Sequence, residues 1–260
     1  MEGQPARTGV VIRQVYYPIC RSLFVYGPDK KNFSYRHDRL VLEIDLTGPR
    51  PHYYRESNGS RAEKLLVPNP GMSVVISPAG PVRHPKEIAQ HLEIRFPALV
   101  LAPGSSKQIF LKFPIEIAVF IQSGSDTSLL DSFSCTNSKF SLYGTPVKGI
   151  ITRYCESGIF DEVPNTDPVS EAVMALTINN AAQTSVEVSR AIFRCQSMKL
   201  FYGETVGTTA TMQIISAALA TTNFESTAPE GCPERAVDLS TGGTLTLITE
   251  QRFYMEWGLK

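Results

Sequence analysis

The sequence predicts an all-β protein made of two tandem antiparallel β-sandwich-like domains with few short helical turns. Apolar residues alternate with a period of two in many short runs, and Gly, Pro, Asn or Asp bounds nearly every run. The chain has 260 residues, and a typical sandwich needs about 100. The periodicity therefore predicts the fold class, and the length predicts the number of domains.

The clearest strand prediction covers residues 113–121. Phe113 and Ile117 would share one face of a strand with the apolar residues between them at alternate positions. Residues 91–101 form a second apolar-rich run just before it, and the turn-forming residues 102–106 separate the two. This region is therefore predicted to be a strand, turn, strand unit that contributes twice to a core.

Similar short runs predict the remaining strands in chain order. In the first half they cover residues 10–16, 40–46, 65–67 and 72–76. In the second half they cover a hairpin over 140–154 and then 173–179, 186–188, 198–202, 210–216 and 245–257. The alternation changes phase near Ser189 and Arg190, which predicts a β-bulge there.

Three segments are candidates for short helical turns, and none has the caps and length of a structural helix. They are residues 85–91, 128–133 and 215–221. Small polar residues follow the strong strand at 113–121, so the domain junction is predicted within 122–138. The resulting domains are residues 1–125 and 126–260.

Composition excludes several classes of protein. The chain has 25 Lys plus Arg and 25 Asp plus Glu, and this balance disfavours intrinsic disorder and nucleic-acid binding. The N-terminus does not have the pattern of a secretory signal, and no apolar run approaches the 20 or so residues that a membrane-spanning helix needs. The five cysteines are scattered and odd in number, which predicts reduced thiols in a cytoplasmic protein without membrane insertion.

Glu116 and Arg153 are the charged residues that the pattern singles out. Each lies within an otherwise apolar strand segment, and a buried carboxylate is costly unless it is paired. The first hypothesis is that both point to solvent from the outer faces of their sheets. The alternative is that they pair across a sheet or a domain junction, where a structural role is favoured over catalysis.

Three aromatic residues could wall a site at the junction, namely Tyr143, Tyr154 and Trp257. Trp257 is the sole tryptophan, and it is predicted to plug a core or groove, with a stacking platform as the alternative. His84, Glu87 and His91 could share one face of a helical turn as metal ligands, but a solvated polar turn is the favoured interpretation. No metal, cofactor or catalytic residue is therefore predicted.

Several segments resemble a known family in their order and combination. They are residues 113–121, Leu142-Tyr143-Gly144 with 149–154, 198–202 and 255–259. From about residue 20 to the C-terminus the chain is similar to an uncharacterised archaeal family, the domain of unknown function numbered 432. The resemblance implies a cytoplasmic archaeal protein with a β-rich fold, and it implies no activity.

Three functions follow as hypotheses. The favoured one is a non-catalytic binding or assembly module that acts through protein partners, because no catalytic motif is found and sandwiches present edges and loops. The second is an enzyme or small-ligand protein with a site at the domain junction. The third is a weak single-stranded nucleic-acid binder that uses Arg13 with Tyr16-Tyr17, and Arg50, Arg55 and Arg61 with Tyr53-Tyr54.

Overall fold

The computed structural model describes residues 24–37, 39–67, 69–81, 89–238 and 252–259. These residues form nineteen β-strands and one 3₁₀ turn, Cys195–Ser197. The predicted all-β class is confirmed. The predicted strand over residues 10–16 and most of the candidate turn at 85–91 lie outside the described residues.

The strands form four sheets, which we call A to D. Sheet A contains β1 (Gly27–Lys30), β6 (Met72–Ala79), β9 (Glu116–Ser123) and β10 (Asp126–Phe133). Sheet B is the meander β2 (Asn32–His37), β3 (Leu40–Asp45), β4 (His52–Ser57) and β5 (Ser60–Leu65). Sheet C has the order β11 (Phe140–Tyr143), β12 (Ile150–Glu156), β7 (His91–Leu101) and β14 (Val186–Arg194).

Sheet D has seven strands. They are β18 (Glu234–Arg235), β15 (Phe201–Tyr202), β16 (Val206–Ser216), β13 (Glu171–Asn180), β8 (Ser106–Pro114), β17 (Leu219–Phe224) and β19 (Phe253–Met255). Most neighbours are antiparallel, but β12 with β7 and β13 with β16 are parallel. The predicted bulge is confirmed, because the register of β14 against β7 shifts between Val188 and Arg190.

Two predicted helical turns are strands instead. Residues 128–133 belong to β10 and residues 215–221 contribute to β16 and β17. The second segment contains three Ala and one Thr, and a turn at residues 217–218 joins its two strands. Pairing with a long neighbouring strand decided both cases, since β10 pairs with β9 and β17 pairs with β16.

Side-chain contacts show which sheets pack on each other. The Tyr53 hydroxyl of sheet B donates to Asp131 of sheet A at 2.7 Å, and the Thr222 hydroxyl of sheet D donates to the Ile192 carbonyl of sheet C. Sheets A and B therefore face one another, as do sheets C and D. The central strand β9 is buried on both faces, with Ile117 and Ala118 fully inaccessible.

Four strand pairs cross the predicted domain boundary. Although β7 and β8 precede residue 125, they pair with β12, β14 and β13 of the second half. Conversely β10 follows residue 125 and pairs with β9. The division into residues 1–125 and 126–260 stays a prediction about folding units, and the sheets themselves exchange strands across it.

Among the described residues no helix is of a length and hydropathy that would let it cross a lipid bilayer.

Candidate functional site

The structure places Glu116 and Arg153 near each other in the interior. Glu116 opens β9 with 0% exposure, on the same face as Ala118 and Phe120, and Arg153 lies in the middle of β12 with 1% exposure. Burial lowers the pKa of Arg153, and the nearby Glu116 carboxylate opposes that shift. The two charges therefore interact between sheet A and sheet C, away from solvent.

Two thiols share this environment. Burial raises the pKa of Cys155 to about 12 and raises that of Cys195 as well, with the Glu116 carboxylate contributing to the second shift. A thiol that stays protonated at neutral pH is a weak nucleophile. The arrangement around Glu116 and Arg153 consequently has the character of a structural charge pair with inert thiols beside it.

Tyr143 and Trp257 meet directly, at a different place. The Tyr143 hydroxyl donates to the Trp257 carbonyl at 2.9 Å and accepts from the Trp257 N–H at 3.0 Å. Their rings pack edge to face with centroids 5.6 Å apart. Tyr143 is buried and Trp257 is 40% exposed, so the tryptophan covers the tyrosine at the surface of sheet C.

The residues around Trp257 continue this cover, and we call residues 253–259 the C-terminal segment. Phe253 packs against His91 and Tyr143, with centroids 5.0 and 6.0 Å apart. Leu259 forms an antiparallel bridge with Val188 of β14. The C-terminal segment thus extends from one edge strand of sheet C to the other.

Tyr154 belongs to neither pair. Its hydroxyl donates to Glu156, and the Arg95 guanidinium lies 4.9 Å from its ring centroid. The five residues predicted for one junction site are therefore divided among three places: Glu116 with Arg153, Tyr143 with Trp257, and Tyr154 with Arg95.

Sequence reasoning missed a buried carboxylate, Glu93, which lies at the centre of a polar network on sheet C. Its Oε1 is 2.8 Å from the Arg95 Nε and 3.7 Å from an Arg190 terminal nitrogen. Its Oε2 accepts from the Thr152 hydroxyl at 3.0 Å and from the Ser141 hydroxyl. The four partners lie on the four different strands of the sheet.

The Glu93 carboxylate stays charged in spite of its burial. Burial by itself would raise its pKa, but hydrogen bonds from Ser141, Arg95 and Thr152 keep that pKa below the ordinary value. A signal for this residue was present in the sequence, since Glu93 and Arg95 are two apart in a strand and must share a face. The apolar residues around them, such as Leu92, Ile94 and Phe96, favoured the prediction of a plain core strand.

Of the three residues considered as metal ligands, the structure describes His91. His84 and Glu87 lie outside the described residues. His91 begins β7, and burial together with the positive charge of Arg194 lowers its pKa. No group of three metal-ligating side chains occurs within the described part of the chain.

The basic and aromatic residues proposed to bind nucleic acid do not form one surface. Arg55 is buried and contacts Asp131 at 3.1 Å, whereas Arg61 is exposed and contacts Glu63 at 2.9 Å. Tyr53 is fully buried. Arg13, Tyr16 and Tyr17 lie outside the described residues. Sheet B thus offers phosphates few unneutralised cations, in keeping with the zero net charge.

Comparison with known proteins gives one match. The family model described as "Protein of unknown function (DUF432)" matches residues 25–256. No curated protein and no solved structure matches the chain.

Proposed function

Since the chain belongs to DUF432, a family of proteins of unknown function, we propose its role from its own surface. The role is that of a non-catalytic binding or assembly module in the cytoplasm. Its ligand is an extended segment of a partner protein, which adds to sheet C along β11. The observation that carries the proposal is an edge strand with exposed apolar side chains.

The strand β11 ends sheet C, and in the described chain it pairs with β12 alone. The Tyr154 N–H donates to the Lys139 carbonyl, which sets the alternation of hydrogen bonds along the pair. By that alternation Ser141 and Tyr143 bond to β12, while the backbone groups of Phe140 and Leu142 point to the open edge. Two residues of β11 thus offer N–H and C=O groups to an added strand.

The same two residues expose apolar side chains. Phe140 is 38% and Leu142 46% exposed, and Ile151 lies beside Leu142 in register with 48% exposure. These three side chains share one face of sheet C. A contiguous apolar surface next to an open edge gives an added strand both backbone bonds and side-chain contacts.

Charge indicates the chemistry of the partner. Two exposed lysines flank the strand, Lys139 just before it and Lys148 in the turn that follows. A second copy of this chain would place like charges opposite each other. A segment with alternating apolar residues and acidic residues at its ends complements the edge instead.

The proposal can be tested by purifying the tagged chain from its native cell and treating the complex with a carbodiimide, which joins lysines to carboxylates. We expect one partner whose acidic residues become linked to Lys139 or Lys148. The variant Leu142→Lys should lose this partner, because a lysine at that position charges the apolar surface.

The matched control is Leu129→Lys, which changes a leucine of similar exposure (42%) on the edge strand β10. It should retain the partner. Recovery of the same linked partner with Leu142→Lys would contradict the proposal. Self-association that Leu142→Lys abolishes would also contradict it, since the occupant would then be a second copy of the chain.

A further inference from the structure

Two arginines lie directly opposite each other on sheet C. Arg95 of β7 is the register partner of Arg190 of β14. Like charges opposed across an antiparallel pair are destabilising unless an anion lies between them. The Glu93 carboxylate, at 2.8 Å from Arg95 and 3.7 Å from Arg190, supplies one such anion.

The Glu93 carboxylate does not use all the hydrogen-bond donors of Arg95 and Arg190. Both guanidiniums approach the same oxygen, Oε1, so the two contacting nitrogens lie no more than about 6.5 Å apart. Each guanidinium has five N–H donors. The Arg190 Nε is buried, so a ligand from solvent must contact the terminal nitrogens of that guanidinium. A further acid, Glu156, accepts from the Tyr154 hydroxyl and contributes, after Glu93, to the raised pKa of Arg95. The N–H donors of the two guanidiniums outnumber these contacts, so donors remain for a second anion.

The side chain of Glu93 differs from those of Arg95 and Arg190 in its exposure to solvent. The Glu93 side chain has no exposure, whereas those of Arg95 and Arg190 are 42% and 29% exposed. A ligand from solvent can therefore reach the guanidiniums without meeting the carboxylate. Glu93 acts as a positioning residue, because it fixes both cations from beneath while Ser141 and Thr152 hold its other oxygen.

We propose that Arg95 and Arg190 form a binding site for the phosphate group of a small molecule. A single phosphate can accept from both guanidiniums at about 2.8 Å, and arginine suits phosphate because its planar fork donates two parallel hydrogen bonds. Arg95 is held further by its position over the Tyr154 ring. The site lies on the face of sheet C opposite to Phe140 and Leu142, so it is independent of the proposed partner surface.

The C-terminal segment forms one wall of this site. Gly258 has a φ of +95°, and a Cβ there would come within 2.6 Å of the Arg190 Cδ and Nε. The glycine thus permits the segment to pack against the arginine. Its neighbour Trp257 is the sole tryptophan of the chain, which provides a fluorescent reporter beside the site.

The site can be tested by titrating the full chain with inorganic phosphate, using calorimetry and Trp257 fluorescence, and with acetate as the carboxylate comparator. We expect saturable binding of phosphate that is tighter than that of acetate. Arg95→Gln should weaken phosphate binding by about tenfold or more, as loss of a charge-assisted bidentate contact predicts. Arg95→Lys keeps the charge next to Glu93 and should also bind more weakly, because it loses the fork.

The control is Arg61→Gln, which removes an exposed arginine that also contacts a glutamate two residues away. It should bind phosphate like the unmodified chain, as should Leu142→Lys. Heat released without saturation, or equal affinity in Arg95→Lys and the unmodified chain, would overturn the proposal. Tighter binding of acetate than of phosphate would overturn the assignment of the ligand class.

Discussion

At the scale of single residues, the interior of this chain contains charges that are held by specific partners. Glu116 and Arg153 interact across two sheets, and Glu93 is surrounded by hydroxyl and guanidinium donors. Such groups add little net stability when intact, but the loss of one partner leaves a buried charge without compensation. Their consequences are therefore best seen in variants that remove one member.

Replacing Glu116 by Gln should destabilise the chain by about 3–5 kcal/mol, because Arg153 would keep a buried charge without its carboxylate. The double variant Glu116→Gln with Arg153→Met should recover part of that loss. Urea unfolding followed by circular dichroism measures both. Glu63→Gln, at an exposed ion pair, serves as the control and should have little effect. Unchanged unfolding of Glu116→Gln would remove the structural role.

The Glu93 carboxylate should make stability depend on pH. Its pKa is lowered in the folded chain from an ordinary value of 4.5, so its contribution is present above that pH. The contribution disappears as the pH falls through the folded pKa. The free energy of unfolding should therefore drop less between pH 6 and pH 3 in Glu93→Gln than in the unmodified chain. The pKa of Asp45 is also lowered, but Asp45 is present in both proteins, so its contribution cancels in the comparison.

At the scale of elements, the C-terminal segment depends on a few contacts with sheet C. It joins β17 through β19, bridges Val188 through Leu259, and binds Tyr143 through two hydrogen bonds. A strand of three residues is too short to be fixed by its ladder alone. We expect the Tyr143 hydroxyl to determine whether the residues after β19 remain packed against sheet C.

Tyr143→Phe removes both hydrogen bonds while it keeps the ring. We expect a loss of about 1–2 kcal/mol in stability and faster hydrogen exchange at the Trp257 amide, whose acceptor is gone. Hydrogen exchange read by mass spectrometry resolves this segment from the rest. Tyr54→Phe, which removes an exposed hydroxyl bond to Glu56 in β4, is the matched control. Equal protection of Trp257 in both variants would contradict the assignment.

A comparison of predicted and observed strands shows which strands a sequence pattern can identify. The sequence pattern identified β7, β13 and most of β9, where apolar residues are frequent. The run predicted as one strand over 113–121 is instead divided at Ile115 between the end of β8 and the start of β9. The pattern did not identify β4 and β5, in which polar and aromatic residues mix. The buried side chains of the inner strand β4 are Tyr53, Arg55 and Ser57, and β5 is a mostly exposed edge strand that needs no apolar pattern. Segments 128–133 and 215–221 became strands because each lies against a long neighbouring strand.

At the scale of the whole molecule, the exchange of strands across residue 125 bears on folding. A fragment of residues 1–125 would contain β7 and β8 without β12, β14 and β13, the strands that pair with them. Unpaired apolar strands expose both backbone groups and core side chains. The sheets of the two halves are therefore expected to form together.

Expression of residues 1–125 and 126–260 as separate fragments tests this expectation. Neither should show cooperative thermal unfolding alone, and mixing them should restore a transition. Circular dichroism and one-dimensional NMR are sufficient measurements. A cooperative transition in the isolated 1–125 fragment would instead establish the predicted boundary as the limit of an independent folding unit.

The sequence by itself determined that this is an all-β chain, where its strongest strands lie, and where one bulge interrupts them, because these follow from local periodicity and turn chemistry. It also marked Glu116 and Arg153 as charges in apolar strands. Only the tertiary structure decided which strands share a sheet and that Glu93 is the best-bonded carboxylate of sheet C. The physical reason is that pairing in a sheet joins residues far apart in the chain, and nothing in a local pattern specifies the partner.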